Sequence, residues 1–136
     1  MKKKYSYNLF VLLFVSFLFP MNAFPQVTVH FYVDLSFELE DEQQRKEDIT
    51  VYITGDIPPF EDQKRVQMKP VPDKPNQYVL DMRFSQAHEG RQLKYRYHYR
   101  NGNRLFSERS MQSLTIPGSG EVHLRPEMFN TQVTRY

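Results

Sequence analysis

The sequence predicts an all-β fold, an antiparallel β-sandwich of roughly seven or eight strands, and three observations carry the prediction. Apolar residues alternate with polar ones in several separate runs, the pattern of strands with one face on a core. Turn signals such as Gly55-Asp56-Ile57-Pro58-Pro59, Asn101-Gly102 and Pro117-Gly118-Ser119-Gly120 divide those runs at the spacing of short strands. Nothing after residue 23 shows a convincing helical period, which excludes a parallel α/β fold, because its crossovers need helices.

Residues 1–23 form a secretory signal peptide pattern. Lys2, Lys3 and Lys4 precede an uncharged apolar run over residues 8–20, and cleavage is expected after Ala23. That run ends at Pro20, short of the roughly 20 residues a spanning helix requires, so no membrane attachment is expected after cleavage. The remaining domain, residues 24–136, is expected to be exported to the periplasm, the cell surface or the medium. It contains no cysteine, so neither lipidation through a processed cysteine nor a disulfide is available. Without the three signal lysines the balance is 15 basic against 16 acidic residues, which argues against a nucleic-acid partner. About 113 residues suffice for one domain with a modest core.

Each element has its own signal. Residues 27–35 place Val27, Val29, Phe31, Val33 and Leu35 on one face and His30 on the other. The acidic, glutamine-rich residues 38–48 read as a solvated loop. Ile49, Val51 and Ile53 face inward on the next strand, which Gly55 to Pro59 terminate. A short strand is expected over residues 65–68, and Pro70, Pro72 and Pro75 then make a rigid connection unsuited to a sheet interior. Residues 77–84 form a strand with Tyr78, Leu80, Met82 and Phe84 inward. Residues 92–100 alternate without a break, with Leu93, Tyr95, Tyr97 and Tyr99 on one face and Lys94, Arg96, His98 and Arg100 on the other. Asn101-Gly102 predicts a type I′ turn, from which residues 104–108 return antiparallel. Residues 114–117 and 121–124 offer two further strands, and residues 132–136 a last edge.

The sequence offers no catalytic constellation. His30, His88, His98 and His123 have no second His, Asp or Glu at a recognisable metal-ligand spacing, so no metal site and no cofactor are expected. No Gly-x-Ser-x-Gly motif occurs, and Pro117-Gly118-Ser119-Gly120 reads as a turn. The carboxylates concentrate in a loop that cannot hold a glycosidase pair across a cleft, and no glycine-rich phosphate loop is present. An enzyme is not expected.

Leu93-Lys94-Tyr95-Arg96-Tyr97, Asn101-Gly102, Phe106-Ser107-Glu108 and Leu114-Thr115-Ile116-Pro117 resemble, in order and spacing, the second half of the starch-binding domains, the family 20 carbohydrate-binding modules. Val51-Tyr52-Ile53-Thr54-Gly55-Asp56-Ile57-Pro58, followed by Val66 and Met68, is similar to that family's first half. The resemblance covers residues 27–117. It implies an immunoglobulin-like sandwich that binds α-glucans of the starch or glycogen type on its surface without cleaving them, by two aromatic rings stacked on successive glucose units and a nearby lysine. Carried onto this sequence, the binding residues are Phe60 and Lys64 in the turn over residues 59–64, then Lys94, Phe106 and Glu108, the last displaced by one residue from the family's glutamate. The family uses tryptophan at both platforms, and this chain has none.

Two functions therefore compete. The first is an exported, non-catalytic α-glucan-binding module. The alternative is a starch-binding-like sandwich that has lost its sugar site and acts as a structural domain or binds a protein partner. They differ in whether Phe60 and Phe106 lie exposed in one patch beside Lys94.

Overall fold

The computed structural model describes residues 26–40, 48–62, 64–125 and 127–129. The signal peptide and the strand expected over residues 132–136 lie outside the described residues. Two five-stranded sheets form the fold. The first contains β1 (Gln26–Asp34), β4 (Lys69–Pro70), β5 (Gln77–Ser85), β9 (Glu121–His123) and β10 (Glu127–Met128). The second contains β2 (Ile49–Gly55), β3 (Val66–Gln67), β6 (Gln92–Asn101), β7 (Arg104–Ser107) and β8 (Gln112–Thr115). The all-β sandwich is therefore as predicted, with more and shorter strands than expected.

In the first sheet β1 is central, paired with antiparallel β5 on one side and with β9 and then β10 along the other, both parallel to it. In the second, β6 is central. β2 lies along one side, while the other is shared end to end by β8, opposite Gln92 to Tyr95, and β7, opposite His98 to Asn101. Both inner faces follow the predicted alternation. Val27, Val29, Phe31 and Val33 pair with Phe84, Met82, Leu80 and Tyr78, and they face Leu93, Tyr95, Tyr97 and Tyr99 across the core. Phe31 and Tyr95 meet edge to face at 5.2 Å, and Tyr95 meets Tyr97 in the same way at 5.7 Å, a favourable arrangement for ring quadrupoles. The Tyr97 hydroxyl donates to the Tyr32 carbonyl at 3.3 Å, so its burial leaves no donor unpaired. That burial also pushes the hydroxyl pKa well above the usual phenol range.

Three local expectations are corrected. Ser36–Glu40 forms a short helix, α1, in which Glu38 is buried and Leu39 packs against the core, so the acidic stretch is not solvated from its start. Pro70 does enter a strand, but at the edge of the first sheet, where its missing N–H costs no ladder bond. The β6–β7 hairpin turns one residue later than expected, because Asn101 pairs with Arg104 and leaves Gly102 and Asn103 as the loop. Gly102 has φ +60° and Asn103 no positive φ, which fits type II′, whose first central position needs glycine.

Candidate functional site

The five residues expected to bind sugar do not converge. Phe60 is 3% exposed and belongs to the core, within 5.9 Å of the Phe31 ring and 6.1 Å of the Phe84 ring. The turn after β2 carries it inward, as the Phe60 amide donates to the Ile57 carbonyl at 3.0 Å. Gly55 makes room for it. A Cβ there would lie 2.4 Å from Phe60 Cδ2, so the glycine of the Gly-x-Ile-Pro segment serves close ring packing. A ring held in this way cannot offer its face to glucose, and the expectation for Phe60 is corrected on that ground.

Phe106 lies opposite Tyr99 in the hairpin and hence on the inward side of β7, whereas Lys94 lies on the outward side of β6. The Phe106 ring stacks on Tyr99 at 4.7 Å with 14° between planes, and the Arg104 guanidinium lies over it at 5.2 Å. Phe106 and Lys94 therefore belong to opposite faces of one sheet. Ser107, not Phe106, takes the outward position next to β6.

Glu108 has a structural task. It is 1% exposed and sits where β7 has ended and β8 has not begun, so that β6 would otherwise lack a partner. Its backbone amide donates to the Tyr97 carbonyl at 3.1 Å, and its Oε1 accepts the Tyr97 amide at 2.9 Å. Gln112 Nε2 donates to both carboxylate oxygens at 3.1 Å. The side chain thus bridges the break between two edge strands. Lys64 is exposed at the surface and pairs with Glu61 at 3.1 Å, three residues away.

The outer face of the second sheet is cationic. Its outward positions are Thr50, Tyr52 and Thr54 on β2, Gln67 on β3, Gln92, Lys94, Arg96, His98 and Arg100 on β6, Leu105 and Ser107 on β7, and Ser113 and Thr115 on β8. None of these is a carboxylate. Arg65 adds a fourth positive charge, its guanidinium 5.5 Å above the Tyr52 ring. Arg96 Nε is buried and has no hydrogen-bond partner among the described residues. His98 is held between hydroxyls, Nε2 at 2.9 Å from Thr54 Oγ1 and Nδ1 at 2.7 Å from Ser107 Oγ. Burial, then Arg96 and Arg65, lower its pKa to about 4, so the ring is neutral at pH 7.

The outer face of the first sheet is mixed in charge, with Arg83 and Lys69 as well as Asp81 and Glu121. On β1, His30 stands between Asp81 of β5 and His123 of β9, with Glu121 two residues before His123 on the same face. His30 Nδ1 lies 2.5 Å from Asp81 Oδ1, and the His30 and His123 rings stack at 4.1 Å with 7° between planes. Hydrogen bonding to Asp81 raises the His30 pKa above its usual value against a smaller opposing effect of desolvation, and Glu121 adds to the rise. His30, Glu121 and His123 each present one ligand atom, all within 4.8 Å of one another. This corrects the expectation that no histidine has a second ligand at metal-binding spacing. Glu121-x-His123 is an i, i+2 pair on one strand face and was visible in the sequence; its meeting with His30 depends on a parallel pairing across 91 residues.

No protein-family profile and no curated protein matches the chain. Solved structures similar to it include a γ-CGTase from an alkalophilic Bacillus clarkii, with TM-score 0.54 and 16% identity over 77% of this chain and 15% of that one. The glucoamylase of Hormoconis resinae is also similar, with TM-score 0.54 and 14% identity over 82% of this chain and 18% of that one. The chain spans less than a fifth of either, and at these identities the likeness is one of fold.

Proposed function

We propose that the chain is an exported, non-catalytic binding module on a starch-binding type of sandwich, and that it meets its ligand with the outer face of the second sheet. One observation carries this reading: Phe60 and Phe106 are turned inward, while Lys94, Arg96, Arg100 and Arg65 share an outer surface whose strand positions hold no carboxylate. A neutral glucan is held chiefly by ring stacking, and the residues expected to supply it are committed to the core. A cationic sheet face with the 44% exposed Leu105 suits an acidic protein segment, which offers carboxylates to the guanidinium groups and apolar contact to Leu105.

The α-glucan reading keeps two supports, the sequence motifs over residues 93–117 and the fold shared with a CGTase and a glucoamylase. On this face its stacking ring would be Tyr52, the one tyrosine, phenylalanine or tryptophan at the outward strand positions of the second sheet among the described residues.

Affinity electrophoresis of the untagged protein in gels containing soluble starch, glycogen or polyglutamate separates the readings. Retardation by polyglutamate alone, lost in an Arg96→Ser/Arg100→Ser variant, supports the acidic-partner reading. Retardation by starch that disappears in Tyr52→Ala replaces it with glucan binding on the same face. Starch retardation lost in Phe106→Ala contradicts the assignment of the face itself.

A further inference from the structure

We propose that His30, His123 and Glu121 form a binding site for a divalent transition-metal ion of the zinc class, with Asp81 as the positioning residue behind His30. Three strands build the site. His30 and His123 are register partners on β1 and β9, Asp81 is the partner of His30 on β5, and Glu121 shares the outward face of β9 with His123. Strand pairing therefore fixes the backbone of every participant, so the cluster is more than a chance meeting of long side chains.

Both donor distances to Glu121 fit, and the two stacked imidazoles would need a modest rotation to aim both nitrogens at one ion. Zinc bonds to imidazole nitrogen and carboxylate oxygen are about 2.0–2.2 Å, which sets tetrahedral ligand atoms about 3.4 Å apart. His30 Nε2 and His123 Nε2 lie 3.4 and 3.3 Å from the same oxygen, Glu121 Oε2. Two histidines and one carboxylate make up a donor set that imidazole-preferring metals accept, with a fourth position open to water. That opening is present, because the Glu121 and His123 side chains are 62% and 71% exposed.

Asp81 supplies the orienting contact such sites need. A metal-bound imidazole donates its other ring N–H to a carboxylate or carbonyl, which fixes the tautomer and aims the free nitrogen. With Nδ1–H of His30 donating to Asp81 Oδ1, the lone pair on Nε2 faces a carboxylate oxygen that has only lone pairs of its own. A proton on Nε2 answers this contact when His30 is charged; when the ring is neutral, a dication between the atoms answers it and satisfies His30, Glu121 and His123 together. Bound there, the metal would clip the three-residue strand β9 to the middle of β1.

The other two histidines do not compete. His88 pairs with Arg91, and both ring nitrogens of His98 meet hydroxyls. The test is calorimetric titration of untagged, EDTA-stripped protein with zinc chloride, followed by NMR of the histidine rings. The expected result is one zinc per chain, a higher melting temperature, and ring shifts at His30 and His123 but not at His88 and His98. His30→Ala and His123→Ala should each weaken binding at least tenfold, and Asp81→Asn about 10–100-fold. These sites are on an outer sheet face, so the circular dichroism of each variant should match that of the parent. Absence of binding, or binding that His30→Ala and His123→Ala leave unchanged, overturns the proposal.

Discussion

His30 and His98 occupy equivalent places. Each stands at an outward position of the central strand in its sheet, yet the two sheets treat the imidazole in opposite ways. Asp81 and Glu121 surround His30 and favour its charged form. His98 is buried beside Arg96 and Arg65 and sits between two neutral hydroxyls, which favours its uncharged form. Strand alternation assigns a side chain to a face, but neighbours contributed by distant strands decide its charge. The difference lies in carboxylates, since the first sheet's outer face sets Asp81 and Glu121 among its charges and the strand positions of the second sheet's outer face hold none.

The two histidines consequently link stability to pH with opposite signs. The folded-state pKa of His98 lies below its ordinary value, so the unfolded chain binds the extra proton first as the medium is acidified. Its contribution is complete above about pH 6.5 and is lost as pH falls towards about 4. The His30 value is raised, so its contribution is complete below about pH 6.5 and is lost as pH rises through the folded-state value.

The largest expected effect concerns what the sheets share, their inner side. Phe60→Ala should lower the unfolding free energy by about 3–5 kcal/mol, as for a buried ring, whereas an exposed ring would change urea denaturation by no more than about 0.5 kcal/mol. His98 comes next. Acidification from pH 7 to 4 should cost the parent up to about 3 kcal/mol through this residue, and His98→Gln, which retains hydrogen bonding to Thr54 and Ser107, should flatten that part of the profile. Asp81→Asn should cost about 0.2–1 kcal/mol at pH 5.5 and almost nothing well above the His30 pKa, measured in EDTA by the same denaturation. Lys64→Ala should stay within about 0.5 kcal/mol, as the side chain pairs with the similarly exposed Glu61.

Much of the fold was legible because it rests on period-two alternation. Alternation alone gives residues 27–35 and 92–100 their inward and outward faces, and the inward set Tyr78, Leu80, Met82 and Phe84 of β5 agrees with their pairing to β1. The site was less legible. A motif placed Phe106 near Lys94 along the chain, but a one-residue difference in the return strand moves a side chain to the other face, and Tyr99 determines which face Phe106 takes. The burial of Phe60 is not legible in the sequence, which does not show that Gly55 leaves space for its ring. Glu108 is explained by a gap between β7 and β8, which exists only once both strands are paired to β6. The His30–His123 pair depends on the parallel docking of a three-residue strand, too short to announce its partner.

The contrast between the two faces is tested most directly by an NMR pH titration of the histidine ring resonances from pH 3.5 to 8.5, with EDTA present to keep metal off His30. His30 should titrate above an ordinary histidine and His98 far below one, near pH 4. If both rings titrate together near pH 6.5, the two surfaces do not differ electrostatically as described.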